Sequence, residues 1–483
     1  MSTAVLFLWP VAILYFFRKY PPALAVCLAI FGGYLFLPTG TVILLPKVPD
    51  IDKESVAVIP ALLFAILFAT QYSRGRMKQT NSGPLPGWIP RSGLVVCLLL
   101  FVIGGVLLTA MTNGRAVVYG ERVLRGMTLF DGMSTLLRTI VAILPFLLAR
   151  KFLARPEDHR MLVIFFCLAG LVYSFFALYE VRMSPVLNKM IYGYFPHEWA
   201  QHKRGDGWRP IVFMYHGLWV SIFFACASIA AAALVRIATD EWRTRAWLAL
   251  GWLLMTLVLT KSLGAVMISM VIVPIMFLSV RTQMIFAAFV SLVIITYPML
   301  RGAGAVPITP IMGFASAIDE GRAESFFFRL DNEEALLQKA NRKPLFGWGD
   351  FGRARIFDKR GRSQSTTDGF WIILLGEGGW IRYIGTFGLL VTPIIVLTMR
   401  QKSNEISAST AALCLILTAN IVDLIPNATI TPLTWLVAGA LAGRMELRAS
   451  ELQKPSDQPT QALVPTGPQY SRFPAHKGRQ STI

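Results

Sequence analysis

Apolar residues along this chain are grouped into long runs separated by polar segments, which is the pattern of helices that cross a lipid bilayer. About thirteen runs reach or approach the roughly 17–25 residues that a spanning helix needs. They lie near residues 3–17, 23–45, 55–72, 92–112, 131–149, 161–180, 211–235, 246–260, 263–280, 283–300, 380–399, 407–425 and 430–444. The first run is short, so an interfacial helix is an alternative for it. The pattern predicts an all-α integral membrane protein with about 12–13 transmembrane helices.

The apolar stretch at residues 246–280 decides on which side of the membrane the following segments lie. As one helix, its roughly 35 residues would measure about 52 Å, whereas the hydrocarbon core of a bilayer is about 30 Å thick. Two spans fit if they are short and turn at Lys261-Ser262. A single tilted helix is the alternative, and it would move the long segment after it to the other side.

Composition supports a membrane protein and changes the interpretation of the charge. Of the 483 residues, 55% are hydrophobic and 15% are charged, and the formal net charge is +19. In a soluble protein this charge would suggest nucleic-acid binding. Here the basic residues lie mostly in short connections and in two long loops, which indicates topology signals and contact with phospholipid or pyrophosphate instead. We therefore expect membrane lipids, and no nucleic acid, among the partners.

The cysteines and the motif content give no sign of a metal or a cofactor. The five cysteines fall inside apolar runs and lack metal-type spacing, so buried hydrophobic roles are favoured over disulfides or a metal site. They are Cys27, Cys97, Cys167, Cys226 and Cys414. The sequence has no P-loop, no GxGxxG motif and no Cys/His cluster with zinc spacing.

Lysine and arginine residues in the connections predict the orientation. One side, taken as cytoplasmic, receives the basic segments at Arg18-Lys19, 74–91, 150–160, 236–245, Arg281 and 400–402. The N-terminus is then outside and the C-terminus inside. The segment 113–130 is an exception, because it places Arg115, Arg122 and Arg125 on the outer side.

This topology divides the chain into six parts. They are N-terminal helices (1–180), a first long outer loop (181–210), central helices (211–300), a large outer loop (301–366), C-terminal helices (367–445) and a tail (446–483). The tail is rich in Pro, Gln, Ser and Thr, which predicts a disordered cytoplasmic segment. Both outer loops are cationic. The second is long enough to escape the positive-inside rule, so its charge indicates an anionic partner.

The stretch 341–379 carries the most specific chemistry. Between positions 342 and 362 it holds seven basic and two acidic residues. Pro344, Gly347 and Gly349 require tight turns, and the chain becomes apolar again at Gly369. A cationic, glycine-rich loop that leads directly into a membrane helix is suited to holding an anionic, lipid-linked group at a bilayer surface.

Two motifs in this stretch resemble the O-antigen ligase and Wzy-type polysaccharide polymerase superfamily. Pro344–Gly349 (PLFGWG) is similar to the family's NPLFGxG turn, and Asp368–Gly379 (DGFWIILLGEGG) is similar to the segment that follows it. The resemblance covers roughly residues 160–400. It implies a GT-C-like glycosyltransferase of the bacterial inner membrane, with two long periplasmic loops. Such an enzyme polymerises polyprenyl-diphosphate-linked oligosaccharides into exopolysaccharide or O-antigen, with a chain-length regulator and export proteins as candidate partners.

Two other functions stay open. A ligase of the same superfamily would transfer the glycan to lipid A core or another acceptor. Ligase-type members carry histidine where this chain has Asp368, and several polymerase-type members carry aspartate, which favours a polymerase. A transporter or flippase of lipid-linked sugars often shows internal repeats and midplane charges. This chain shows no repeat and concentrates its charges in the outer loops, which favours an enzyme.

The resemblance also implies catalytic residues. Arg209 opens a segment loosely similar to the family's Arg-plus-GTFGHPN segment, and Arg329 lies on a helix before the PLFG turn. Both are expected to bind the diphosphate through a planar guanidinium fork, without a metal, and Asp368 to act as base or to orient them. The alternatives are an interfacial anchor for Arg209, a solvated Arg329–Glu333 pair and a helix N-cap for Asp368.

Further substrate-binding candidates lie around these three residues. We place His216 about one and a half to two turns inside a span, where an ionisable group usually has a purpose. Lys261 stands beside the turn where the family has an arginine. The alternative for His216 is a structural histidine, and the alternative for Lys261 is an anchor that snorkels to the headgroups. The other candidates are Arg322, on the helix face of Arg329, and Arg342, Arg353 and Arg355 in the large loop. Glu377 is expected to pack structurally or to pair with Arg382.

Overall fold

The computed structural model describes residues 2–43, 51–73, 84–195, 199–205, 207–306, 320–400 and 406–447. These residues are mostly helical, and the strands among them form two short antiparallel hairpins. Residues 448–483, nearly all of the predicted disordered tail, and residues 307–319 of the large loop lie outside the described part.

The helices and strands follow one another in a simple order. The helices are α1 (Ser2–Lys19), α2 (Pro22–Phe36), α3 (Lys53–Ser73), α4 (Gly93–Thr112), α5 (Leu129–Phe152), α6 (Pro156–Met183), α7 (Leu187–Tyr192), α8 (Gly217–Ile237), α9 (Asp240–Leu259), α10 (Leu263–Ile275), α11 (Val280–Gly302), α12 (Glu320–Ala340), α13 (Phe370–Met399), α14 (Ala408–Asp423) and α15 (Pro432–Glu446). One hairpin pairs β1 (Val117–Tyr119) with β2 (Arg122–Leu124), and the other pairs β3 (Lys203–Arg204) with β4 (Gly207–Trp208).

The chain is a multi-pass membrane protein. Within the described residues, seven helices are long and apolar enough to cross a membrane, namely α1, α4, α5, α6, α8, α11 and α13. Three further apolar helices, α2, α10 and α14, are shorter. The predicted all-α membrane class is therefore confirmed. The predicted total of 12–13 spans includes helices that fall short of this length or hydropathy.

Burial separates the interior helices from the outer ones. In the most apolar 18-residue stretch of α8, 83% of the residues are buried inside the protein, whereas in the corresponding stretch of α1 the share is 17%. Every residue of α15 except Glu446 is likewise buried. The exposed apolar side chains of α1, such as Phe7 and Leu8, have no polar role and suit contact with lipid tails. The cysteines are free thiols, all buried except Cys97, which agrees with the prediction that they serve as hydrophobic residues.

Hydrogen bonds sort the helix ends into two groups. At one end, called the loop end, Lys53 Nζ donates to the carbonyl oxygens of Tyr34 (3.0 Å) and Phe213 (2.7 Å). Asn113 Nδ2 donates there to the Gly347 carbonyl oxygen (3.0 Å). The ends of α2 and α4 and the start of α3 therefore lie beside both long loops.

The other end of the bundle, called the Arg150 end, gathers the opposite termini. Arg150 Nε donates to Glu446 Oε2 (3.0 Å), and the Arg91 amide donates to Glu446 Oε1 (3.0 Å). Arg400 Nη1 donates to the Met445 carbonyl oxygen (2.9 Å). The start of α4 and the ends of α5, α13 and α15 therefore lie together, away from the long loops.

The stretch 246–280 forms two helices. Lys261 adopts a left-handed φ of 57° between α9 and α10, and Thr260 lies at the loop end, where its hydroxyl accepts from Ser221 Oγ (2.9 Å). α10 returns to the other end, because Arg236 Nη1 at the end of α8 donates to the Met276 carbonyl oxygen (3.1 Å). The predicted turn at Lys261-Ser262 is confirmed, and the large loop after α11 falls at the loop end.

Three helix boundaries differ from the sequence prediction. α2 ends at Phe36 rather than near 45, because Pro38 follows and restricts the residue before it. α8 begins at Gly217 rather than 211, since Val212 has a φ of 54°. α13 begins at Phe370 and is interrupted at Gly379 (φ 65°), so the span predicted from 380 is its second half.

Candidate functional site

The two family-like motifs form one structural unit at the loop end. The amides of Trp348 and Gly349 donate to the carbonyl oxygens of Gly376 (2.8 Å) and Glu377 (2.9 Å). The amide of Trp380 donates back to the Pro344 carbonyl oxygen (2.7 Å). The PLFGWG turn therefore closes onto the interruption in α13, and this pairing supplies partners for backbone groups that a broken helix leaves open.

Glycine is required at both sides of this pairing. Gly347 has a φ of 62°, and a Cβ there would lie 2.5 Å from the Glu377 carbonyl carbon. Gly379 has a φ of 65°, and a Cβ there would lie 2.4 Å from the Leu345 carbonyl carbon. A side chain at either position would clash with backbone in a conformation that L-residues rarely adopt. The two motifs thus need glycine because their backbones touch.

The buried side chain of Arg353 stabilises this unit. Its side chain is 1% exposed, and its guanidinium donates to the carbonyl oxygens of Trp348 (3.0 Å), Arg125 (2.6 Å) and Arg115 (2.9 Å). These contacts fasten the β1–β2 hairpin to the large loop. They also show that the basic segment 113–130 lies at the loop end and takes part in holding the large loop. The Arg353 donors are thus occupied by backbone, which indicates a structural role, and substrate binding by Arg353 stays a prediction.

Two lysines lie over the indole of Trp348. Lys339 Nζ and Lys343 Nζ are 5.2 and 4.6 Å from the ring centroid, within cation–π range. Burial, together with the positive charges of Arg342 and Arg353, lowers the pKa of Lys339 to about 8. Arg342 itself is exposed at the end of α12. The surroundings of the PLFGWG turn are therefore strongly cationic.

A cavity of about 200 Å³, called cavity A, opens between α11, α12 and the start of α13. It contains both Arg329 and Asp368, the two candidates of the large loop. Its lining is Tyr297, Arg329, Leu330, Glu333, Thr366, Asp368, Ile372, Ile425 and Pro426. The cavity thus combines a cation, two carboxyl groups, a phenol and an apolar wall at one end of a membrane bundle.

Arg329 and Asp368 form an ion pair in cavity A. The Arg329 Nε to Asp368 Oδ2 distance is 3.2 Å, and the side chains are 39% and 34% exposed. Both groups therefore remain accessible to a ligand. The N-cap interpretation of Asp368 is wrong, because the N-cap of α13 is Gly369 and no side chain caps that helix. The Phe370 amide instead donates to the Leu424 carbonyl oxygen (3.0 Å).

Glu333 is a carboxyl group of cavity A that the sequence analysis considered only as a solvated partner of Arg329. Its side chain is 9% exposed, and Tyr297 Oη donates to its Oε2 (3.4 Å). Burial raises the pKa of Glu333 to about 7, against the opposing influence of Arg301 and Arg329. The alternative of a solvated Arg329–Glu333 pair is therefore wrong. One signal was present: the apolar residues Leu336, Leu337 and Ala340 follow at helical spacing and mark this face as buried.

A second cavity of about 200 Å³, cavity B, lies on the other side of Ile372. It is lined by Leu336, Gly352, Ala354, Arg355, Thr367, Ile372, Ile373, Gly376 and Glu377. Arg355 is exposed in cavity B. Because Ile372 lines both cavities, Arg355 also lies beside cavity A. The Arg382 guanidinium forms an ion pair with Asp350 (3.8 Å), and its charge also acts on Glu377, which supports the structural role expected for that glutamate.

Arg209 belongs to another part of the loop end, called the Arg209 turn (residues 207–217). Arg209 is 9% exposed, and its Nη2 donates to the Lys261 carbonyl oxygen (3.2 Å). A Cβ on Gly217 would lie 2.3 Å from Arg209 Cγ, so glycine leaves room for this side chain. Lys261 Nζ donates to the Arg204 carbonyl oxygen (2.8 Å). The two candidates Arg209 and Lys261 are thus in contact, an arrangement that the sequence did not predict.

His216 is not inside a membrane span. It is the N-cap residue of α8, and its Nδ1 accepts from the Leu218 amide (3.1 Å). The preceding backbone is held out of helix because the Glu180 carboxylate accepts from the amides of Ile211 (2.8 Å) and Val212 (2.7 Å). The imidazole of His216 faces that of His202, with ring centroids 4.9 Å apart.

The structure therefore distributes the predicted residues over two groups. Arg329 and Asp368 meet in cavity A with Arg355 nearby, while Arg209, Lys261 and His216 meet at the Arg209 turn. Arg322 lies on α12, but its side chain falls outside the described residues. Among the described residues, no group of three or more His, Cys, Asp or Glu side chains is arranged to hold a metal ion.

Comparison with known proteins adds no relative, since no family model and no curated protein matches the chain.

Proposed function

We propose that this chain is a GT-C-like glycosyltransferase of the bacterial inner membrane that polymerises polyprenyl-diphosphate-linked oligosaccharide repeat units. The observation that supports this most is the exposed Arg329–Asp368 ion pair (3.2 Å), which lines a cavity at one end of a membrane bundle. We take the loop end as periplasmic. A lipid-linked donor needs this placement, because its lipid lies among the helices while its sugar reaches water.

The proposed reaction requires stabilisation of a diphosphate leaving group. A guanidinium presents several N–H donors in a plane and pairs with two oxygens at once. Arg329 is the cation of cavity A that is open to a ligand, and Asp368 holds its Nε edge. Asp368 thus orients the guanidinium, whose remaining donors are directed to the diphosphate. Its fixed charge in a partly enclosed site stabilises the negative charge that develops there.

A polymerase is favoured over a ligase by the residues around the cavity. Asp368 stands where ligase-type members carry histidine, and no histidine is among the described residues that line cavity A. His216 belongs to the Arg209 turn instead, and His202 faces it with ring centroids 4.9 Å apart. The ligase, which would transfer glycan to lipid A core or another acceptor, remains the second candidate. A transporter is disfavoured because Arg329 and Asp368 lie at the end of the bundle.

The deciding experiment reconstitutes the purified protein in liposomes with a polyprenyl-diphosphate-linked repeat unit. We expect a ladder of lipid-linked glycans longer than the input, together with released polyprenyl diphosphate. Transfer only to added lipid A core, with no ladder, would favour the ligase. Movement of the intact donor across the bilayer without any new glycosidic bond would favour the flippase and overturn the proposal.

A further inference from the structure

The carboxyl group of Glu333 is the part of cavity A to which the diphosphate chemistry assigns no role. We propose that Glu333, and not Asp368, is the general base that takes the proton from the acceptor hydroxyl. This inference rests on the proposed function and names the proton acceptor within the same cavity.

The two carboxylates of cavity A differ in what already binds them. Asp368 Oδ2 lies 3.2 Å from Arg329 Nε, so the group is engaged with the cation that would hold the diphosphate. Glu333 accepts a hydrogen bond from Tyr297 Oη at Oε2 (3.4 Å) and interacts with the Trp371 indole, and neither of these partners is a cation. A base that is not the counter-ion of the leaving group's cation suits a reaction in which the nucleophile and the leaving group occupy different positions.

The charged and titratable neighbours of Glu333 come from every element around it. α11 contributes Tyr297 and Arg301, α12 contributes Arg329, and the segment before α13 contributes Asp368. Arg301 is also committed to the Leu330 carbonyl oxygen (3.2 Å) and to the Glu334 carboxylate (3.5 Å). Glu333 is therefore buried without an exclusive counter-ion.

This environment brings the pKa of Glu333 close to neutral pH. Burial raises its pKa to about 7, and a general base is most effective when its pKa is close to the working pH. At pH 7 a substantial fraction is then ionised, and that fraction is a stronger base than an ordinary exposed carboxylate.

The proposed step balances with the groups named. The acceptor hydroxyl oxygen forms a bond to the anomeric carbon of the donor, and the bond from that carbon to the diphosphate oxygen breaks with its electron pair. The hydroxyl proton passes to Glu333, which later releases it to water. Arg329 stabilises the charge on the departing diphosphate.

The test compares Glu333→Gln with Glu334→Gln in the liposome assay. Both substitutions remove one carboxylate from the same helix, but Glu334 is 45% exposed and lies outside the lining of cavity A. Glu333→Gln should slow glycan elongation by at least about 100-fold, the contribution typical of a general base, while Glu334→Gln should remain near the wild-type rate. The wild-type rate should rise with pH and level off above an inflection near 7, and this inflection should disappear in Glu333→Gln.

Several results would overturn the inference. If Glu333→Gln elongates at more than half the wild-type rate with the same inflection, Glu333 is not the base. If Glu333→Gln fails to fold, as judged by its melting temperature in detergent, Glu333→Asp decides, because a base should show a lower rate and a displaced inflection. An unchanged inflection in Glu333→Asp contradicts the proposal. If the wild-type protein itself forms no glycan bond, the proposed function fails, and the inference fails with it.

Discussion

The two arginine sites at the loop end use the same side chain in opposite ways. At the Arg209 turn, Arg209 is 9% exposed and donates to a backbone carbonyl. In cavity A, Arg329 is 39% exposed and is paired with a carboxylate that is itself accessible. A buried guanidinium bound to backbone stabilises a turn, whereas an exposed one beside a cavity remains available to an anion. Availability of the guanidinium, more than its position in a basic loop, distinguishes the two sites.

The difference comes from how the neighbouring chain is held. The Arg209 turn is fixed from two sides, because Glu180 binds the amides of Ile211 and Val212 and Lys53 binds the Phe213 carbonyl oxygen. Arg329 extends from α12, and its guanidinium pairs with the Asp368 side chain rather than with a backbone carbonyl. The first arrangement gives rigidity, and the second gives access.

Among the effects that test the two arginine sites, the largest is expected on turnover at Arg329. Arg329→Ala should reduce glycan elongation per folded protein by at least about tenfold, since a charge-assisted hydrogen bond contributes about 1.5–3 kcal/mol and about 1.4 kcal/mol corresponds to a factor of ten in rate. Arg329→Lys should restore little, because an ammonium group lacks the planar fork. Elongation in liposomes and the melting temperature in detergent measure the two quantities.

Arg360→Ala is the matched control for Arg329, since Arg360 is exposed in the same loop and lies outside cavity A. It should keep the wild-type rate. Equal losses in Arg360→Ala and Arg329→Ala would mean that general loop charge, and not the cavity, governs the reaction.

A smaller effect is expected on stability at Glu333. Its folded-state pKa lies above the ordinary value of about 4.5, so the buried neutral carboxyl is stable at low pH and stability is lost as pH rises through about 7. The full difference amounts to at most about 3 kcal/mol. The wild-type melting temperature in detergent should therefore fall between about pH 4.5 and pH 7, the interval between the unfolded and folded pKa values, and Glu333→Gln should show less of this fall.

An equal fall in the wild type and in Glu333→Gln would place the responsible group elsewhere. Glu334→Gln serves as the control, because its exposed carboxylate should leave the pH dependence unchanged.

The sequence predicted much of this arrangement, but it could not distinguish neighbouring residues with different surroundings. Apolar periodicity predicted the membrane class and the turn at Lys261, because these depend on local chain length. The motifs predicted Arg329 and Asp368 as candidates. Arg353 and Arg355 stand two positions apart in one basic segment, yet one is buried by a hairpin from far earlier in the chain and the other lines a cavity.

Glu333 and His216 show the same limit of local patterns. The spacing of Arg329 and Glu333 suggested an ordinary surface pair, but packing against Tyr297 of α11 buries the carboxyl. His216 lay within an apolar run, but the Glu180 carboxylate draws the preceding backbone out of helix and moves the start of α8. Both outcomes depend on contacts between distant segments, which periodicity does not encode.

The smallest expected effect tests the comparison itself at Arg209. If Arg209 stabilises the turn, Arg209→Ala should lower the melting temperature, because it removes a charged hydrogen bond to the Lys261 carbonyl oxygen. Such a bond contributes about 1.5–3 kcal/mol. Turnover per folded protein should change by less than about threefold, which is about 0.6 kcal/mol. Lys203→Ala is the control, since Lys203 is exposed on the adjoining hairpin and should alter neither quantity.

An unchanged melting temperature together with a tenfold loss of turnover would show that Arg209 binds the diphosphate, as the sequence resemblance implies. The two arginine sites would then act together on one substrate, and the distinction drawn from exposure would fail.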